Sequence, residues 1–545
     1  MTLDSIELEV LRHALTAAAV DMDVTIWRTS RSTIVREMLD YSTAVFDADG
    51  FNVAQSARIP QHLNSMSSCL RTVIERFIPI EHWRDGDVIV TNDPYCGGQH
   101  LPDILTFRPV FVNGQRIAIV GALCHHLDVG GMSPGSYAAA ATEVYQEGLR
   151  IPPLKLFDGG QRNEAVWSMI AQNTRQPITV MGDLSSQVAS LGVGAEAIGR
   201  LAAKYGTDAL VDGCAQLLDQ SETIMRDCIA RMPDGVYAAE DFLDDDGVTP
   251  DRPVRLHAAI TIAGDSMTID LSGCGPEARG PINATLASTL SAVYFAVVAA
   301  ADRPMAPNAG CYRPIRVIAP EGLIVSARHP APVAHRIAPC HVLLNVLFGA
   351  LSQAIPDRMP AAYYGVSYVC SFQTLGLDGT RKVLVEIEVG GCGAHADGDG
   401  ANAHAFGMHN NASIPVEMIE TGAPVSITRY ALAENTGGAG QRRGGLGLVR
   451  SWRIDAPEAT FTAQMDRFVH RPFGLHGGDA GSAGTLTLVR DGVETPLRAK
   501  VANMPLRRGD VIVLQTSGGG GLGPADSRAV EDIERDRRLR YINQT

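Results

Sequence analysis

The sequence has no Gly-x-x-x-x-Gly-Lys-Ser/Thr loop, so it carries no local cradle for the phosphates of a nucleotide. It also lacks any Cys-x-x-Cys pair. Its 10 cysteines are scattered, and Cys69, Cys96, Cys124, Cys274, Cys340 and Cys392 lie in apolar or glycine-rich settings. Scattered thiols in a long chain predict reduced, buried cysteines and a cytoplasmic protein. Basic patches are missing and the net charge is −14, which argues against nucleic acid or an anionic membrane as partner. No basic segment followed by an apolar run opens the sequence, so no export is expected. The most membrane-like stretch, residues 284–301, is interrupted by Thr285, Ser288, Thr289 and Ser291 and predicts a buried helix rather than a span.

What is present is a chain of 545 residues, 45% hydrophobic and 19% charged, long enough for two to four domains or one large interwoven unit. An apolar stripe of Leu8, Leu11, Leu15 and Ala19 predicts a first helix from Ser5 to Trp27, with Ser5 as its cap. A strand pattern covers Tyr41 to Asp47. Amphipathic helices follow at 180–205 and 212–232. After Pro233-Asp234-Gly235 the pattern turns to alternating strands at 236–243, 254–263 and 266–271. The expected class is therefore mixed α+β and multi-domain, with antiparallel β-rich regions and buried helices around a metal-containing cleft. The divisions expected are 1–232 for the metal site, 233–380 for a central α+β region, 381–525 for a glycine-rich β region lining the cleft, and 526–545 for a C-terminal helix.

The chemistry concentrates between Thr91 and Gly131, where three His and three Asp fall within 41 residues. His100 and Asp103 lie in a turn rich in Gly and Pro; His125, His126 and Asp128 follow a second strand. Between them, Pro109–Val112, Asn113-Gly114 and Gln115–Val120 spell a tight hairpin, because Asn-Gly tolerates positive φ at both central positions. The hairpin brings the loop near His100 back to the strand end near His125. Imidazole and carboxylate together suit Zn, Mn or Fe. By themselves the residues leave two readings open: a metal site, or turn-capping Asp beside packed His. Asp40, just before the first strand, and His62, before a helix, carry the same ambiguity. Residues 390–411, with His395, Asp397, Asp399, His404 and His409, read as turns at a substrate cleft, since the EF-hand spacing is absent. The run 435–445 reads as tight turns bearing exposed Arg.

Taken together, Asn92-Asp93-Pro94-Tyr95, His100-Leu101-Pro102-Asp103-Ile104, His125-His126-Leu127-Asp128-Val129-Gly130-Gly131, the Gly-rich run at 437–447 and Ser517–Pro524 resemble the hydantoinase B family, in order and spacing, over nearly the whole chain. The family includes ATP-dependent cyclic amidases and the acetone and acetophenone carboxylase subunits. The resemblance implies a hydantoinase A-type partner that uses ATP to activate a small cyclic amide, in a hetero-oligomer such as α2β2. It implies one divalent metal (Zn, Mn or Fe) held by His100, Asp103 and His125, with Asp40 as fourth ligand. Asp40 or Asp128 is then expected to take the proton of water, with His126 and His62 as further catalytic residues. An acidic substrate would need an arginine, and Arg36, Arg58, Arg336, Arg442 and Arg443 are all available. Two other readings are a ketone carboxylase subunit and a non-catalytic scaffold of an ATPase.

Overall fold

In the computed structural model, which describes residues 3–376 and 379–543, the chain is a mixed α+β, multi-domain molecule with several antiparallel sheets. Its first 25-residue helix, Ser5–Thr29, is capped one residue earlier than the sequence suggests. Asp4 rather than Ser5 accepts from Ile6 N and Glu7 N, and Glu7 reaches back to Asp4 N, because a carboxylate with Glu three residues on completes a capping box.

The first sheet holds the strands β1 (Tyr41–Phe46), β2 (Asn52–Gln55), β3 (Val88–Thr91), β4 (Asp103–Val112), β5 (Gln115–His125), β6 (Leu154–Asp158) and β7 (Gln161–Arg162), in the spatial order β2-β1-β5-β4-β3-β6-β7. The predicted hairpin is there: β4 and β5 pair antiparallel, and Asn113 and Gly114 both have positive φ, 50° and 79°. Alternation divides the sheet into two apolar faces. Val120, Ala122 and Cys124 pack with the helices Ser5–Thr29 and Pro177–Tyr205, whereas Ile119, Leu123, Leu105 and Phe107 pack with the helix Pro60–Arg76.

The rest of the chain forms three further sheets. Strands 235–243, 254–263, 266–270 and 315–318 make one, with the helix Ile337–Ala354 against it. That helix is apolar and almost wholly buried; Leu286–Ala300 beside it is apolar and buries one face, so both pack into the core. The remaining two sheets are built from residues 368–515. One continuous core joins Ile34, Met38, Leu127 and Tyr137 of the first region to residues as far as Leu514.

Between these sheets the glycine-rich segments meet main chain to main chain. A Cβ added at Gly391 would lie 1.9 Å from Gly445 O, and one at Gly519 would lie 1.9 Å from Cys392 O. The segments bond to one another, Gly391 N to Ser517 O at 3.0 Å, Gly445 N to Cys392 O at 2.8 Å and Gly519 N to Gly445 O at 2.9 Å. Of the arginines in the 435–445 run, Arg443 is buried rather than exposed: its Nε lies 3.3 Å from Asp536 of the C-terminal helix Val530–Arg538. Arg528 bonds both Asp399 and Asp536, so that helix is docked on the body.

Candidate metal centre

Strand register assembles the site. Asp103 opens β4 directly across from His125, the last residue of β5. On the other side of β5, His125 N donates to Asp40 O at 3.0 Å, immediately before β1 pairs with β5. Asp40, His125 and Asp103 thus stand abreast on three adjoining strands, and the alternation of each strand turns them toward the helix Pro60–Arg76. That helix contributes His62 from its first turn. Its Nε2 lies 3.6 Å from Asp40 Oδ1 and 3.7 Å from Asp103 Oδ1. Leu39 takes φ +60°, a conformation disfavoured for a branched side chain, and so delivers Asp40 out of the preceding helical turn.

His100 comes from the turn before β4, with Nε2 3.5 Å from Asp103 Oδ2. Its Nδ1 lies 3.1 Å from the carbonyl of Ala334. A carbonyl only accepts, so Nδ1 carries the proton and Nε2 the lone pair. Glu147 fixes that carbonyl's segment, accepting from Val333 N at 2.6 Å and Ala334 N at 2.8 Å. His125 Nε2 sits 3.0 Å from Tyr137 OH, which leaves Nδ1 for the site. Arg336 closes the group, with Nη2 2.8 Å from Asp103 Oδ2.

The electrostatics follow from burial. Asp40 is pushed up to about 7, first by burial and then by the neighbouring Asp103 carboxylate. Asp103 is pushed up to about 6 by burial, with Arg336 opposing. Burial, reinforced by the Arg336 charge, holds His62 and His100 well below the usual imidazole range and His125 at about 3. All three rings are neutral at pH 7, with lone pairs available.

The arrangement suits a cation. His100 Nε2, His125 Nδ1 and Asp103 Oδ1 are buried and without hydrogen-bond partners. One donor atom from each of these residues lies within 4.8 Å of the others, and among the described residues this is the one such group of three or more. Buried donors left unpaired are costly unless something binds them. Two imidazoles and a carboxylate are the donor set of a borderline-soft divalent ion with positions to spare, and the backbone carbonyl on the outer nitrogen of His100 is the usual support for such a ligand.

The other sequence-derived residues go elsewhere. His126 follows His125 and faces the opposite side of the sheet, where Nε2 lies 3.4 Å from Gln187 Oε1. Asp128 is committed to its loop, accepting from Gly130 N, Gly135 N and Arg175 N and pairing with Arg175 at 2.9 Å. Of the arginines considered, Arg336 alone lines the cavity beside the group. That cavity, about 30 Å³, is walled by Asp40, His62, His125 and Tyr137 on the β1–β5 side and by Ser367, Met408, His409 and Asn411 from the C-terminal half. Sequence reading missed Ser367, Tyr137 and Glu147 altogether. His409 stands in the sequence as one of several His and Asp residues in a glycine-rich run. Its signal, a lone His beside Asn-Asn, is too common to single out.

The comparisons with known proteins concern the chain as a whole. The family model described as Hydantoinase B/oxoprolinase matches residues 4–525. The B component of a putative D-/L-hydantoinase from Pseudomonas sp. (strain NS671) is 30% identical, over 98% of this chain and 92% of its own. The crystal structure of the ATP-dependent caprolactamase from Pseudomonas jessenii superposes with a TM-score of 0.93 at 29% identity, covering 100% of this chain and 95% of that one. Acetone carboxylase in its nucleotide-free form shares the fold, with a TM-score of 0.92 at 19% identity over 98% of this chain and 78% of that one.

Proposed function

The chain belongs to the hydantoinase B/oxoprolinase family, and from that premise we propose that it is the metal-bearing hydrolytic subunit of an ATP-dependent cyclic amidase. The observation that carries this reading is the buried trio of unpaired donor atoms on His100, Asp103 and His125, the last of which lines a cavity together with Asp40, His62 and Arg336. These three residues hold the ion, with Asp40 beside them. A divalent cation there supplies Lewis acidity to a reaction that water alone performs slowly. Asp40 takes the proton of the attacking water, and the neutral ring of His62 stands beside it, 3.6 Å from Asp40 Oδ1. Arg336 orients Asp103 and offers positive charge to an anionic substrate.

The sequence has no phosphate loop, so ATP is used by a partner of the hydantoinase A type, which phosphorylates the amide oxygen. The described cysteines are all free and buried, in keeping with a cytoplasmic complex. The test is to co-purify the chain with that partner, measure bound metal, and follow hydantoin, 5-oxoproline and caprolactam with ATP, with and without bicarbonate. ATP-dependent ring opening that needs no bicarbonate and stops on chelation is expected. Turnover only of a ketone with bicarbonate would move the chain to the carboxylases. A complex that turns over ATP and loses nothing when His100 is replaced would make it a scaffold.

A further inference from the structure

The wall of the cavity supplied by the C-terminal half carries a hydrogen-bonded chain that the metal centre does not use. Ser367 and His409 line the cavity, and both are buried. His409 Nε2 bonds Ser367 Oγ and lies 3.3 Å from His341 Nε2. His341 Nδ1 in turn lies 2.6 Å from Tyr363 OH, and His409 Nδ1 lies 3.4 Å from Tyr364 OH. Two ring nitrogens facing each other at 3.3 Å hold at most one proton between them if both rings are neutral, so the tautomers of the two histidines and the serine hydroxyl are interlocked. His409 has a partner on each ring nitrogen, and one of them, Ser367, stands on the cavity wall, so the chain of contacts ends at the cavity. No carboxylate or thiol joins the group among the described residues, so it is not a second metal centre.

We propose that Ser367 and His409 deliver the proton to the ring nitrogen that departs when the cyclic amide opens, while His341 and Tyr363 act as positioning residues for the His409 ring. This rests on the amidase reading above. In the step, the C–N bond breaks and its electron pair goes to nitrogen. Ser367 gives its hydroxyl proton to that nitrogen and takes one from the imidazolium of His409, which is left neutral and regains a proton from solvent as product leaves. An amine departing from carbon needs that proton, because the bare amide anion is far too basic to leave. In the protein alone, burial and the Arg336 charge keep His409 neutral. The phosphoryl group of the activated ring supplies the counter-charge that protonates it, so the acid is armed only when activated substrate is present.

The experiment uses the complex with the ATP-binding partner, in ¹⁸O-water, on hydantoin, 5-oxoproline and caprolactam. Wild type is compared with His409→Gln and with the smaller deletion Ser367→Ala. Water still adds to the phosphorylated carbon in the variants. Without a proton for nitrogen, the tetrahedral carbon expels phosphate instead and returns the lactam bearing the water oxygen. The expected result is ring opening slowed about 100-fold, ATP turnover within about twofold of wild type, unchanged bound metal, and ¹⁸O in the recovered lactam. Tyr363→Phe should show the same uncoupling more weakly. Should His409→Gln fail to assemble, Ser367→Ala decides the matter. ATP turnover and ring opening that fall in parallel without label in the lactam would overturn the proposal, as would unimpaired ring opening. A wild-type complex that opens none of the three rings would overturn the amidase reading itself, and this inference with it.

Discussion

Replacing His100 by Ala removes one of three converging donors and leaves Asp103 and His125 facing a gap. The complex should still assemble, because His100 is buried inside the fold rather than on an outer face. Bound metal, read by elemental analysis, should drop to background, and ring opening should be lost by more than the about 10–100-fold typical of removing an outer hydrogen-bond partner. Glu147 is such an outer partner, and its carboxyl is pushed up to about 8 by burial. Its folded value lies above its unfolded value, so the stability it contributes is fully present below about pH 4.5 and is lost as pH rises through about 8. Glu147→Gln keeps the acceptor for Val333 N and Ala334 N but does not titrate. The thermal midpoint of wild type should therefore fall relative to the variant between about pH 5 and pH 8.5. Equal pH profiles for the two would show that Glu147 ionises freely in the fold. At this scale the sequence was informative where chemistry is local. His100, Asp103 and His125 lie on one hairpin whose turn could be read from Asn113-Gly114, so their convergence followed. Ser367, His341 and His409 are brought together by the packing of separate elements, and no spacing in the chain signals that.

Among elements, the hairpin and the loop after it respond differently to the same substitution. Gly114 sits in the turn at φ +79° with open space around it, so Gly114→Ala meets only the backbone cost, about 1 kcal/mol. Gly131 has φ +81°, and a Cβ there would lie 2.4 Å from Glu147 O. Gly131→Ala should destabilise more than Gly114→Ala and, unlike it, lower bound metal, because it displaces the segment that carries Glu147. Denaturant titration together with metal analysis of the two variants separates these outcomes. Element type was readable where periodicity was strong: the helix near 286–300 and the strands at 236–271 are where alternation and apolar runs put them. The cap at Asp4 and the burial of Arg443 were not. The first depends on the reciprocal bond from Glu7, the second on a helix far along the chain that ends at Arg538.

For the molecule as a whole, the C-terminal helix is held by buried charge rather than by an apolar stripe. Asp536, fully buried, faces Arg443 and Arg528. Asp536→Ala leaves the buried Arg443 without its carboxylate, while Arg528 keeps Asp399, and breaking such a buried pair costs about 3 kcal/mol or more. Loss of the helix signal and a lower thermal midpoint are expected, with the metal retained; an unchanged midpoint would mean the helix adds nothing to the body. The mixed α+β class was legible in the alternation of the chain. The core running from Ile34 to Leu514 was not, since it joins surfaces that are adjacent only once the three later sheets are in place.

The glycine-rich segments where backbone lies on backbone have a consequence for how the protein comes apart. Each loop there supplies an amide to a neighbour's carbonyl and leaves no space for a side chain, so none can loosen and be replaced by a repacked residue. Opening one strands the bonds of the next. In a deuterium-exchange experiment these amides should be the last to take up label, and should do so together, marking the seam between the sheets as one cooperative block whose protection equals that of global unfolding.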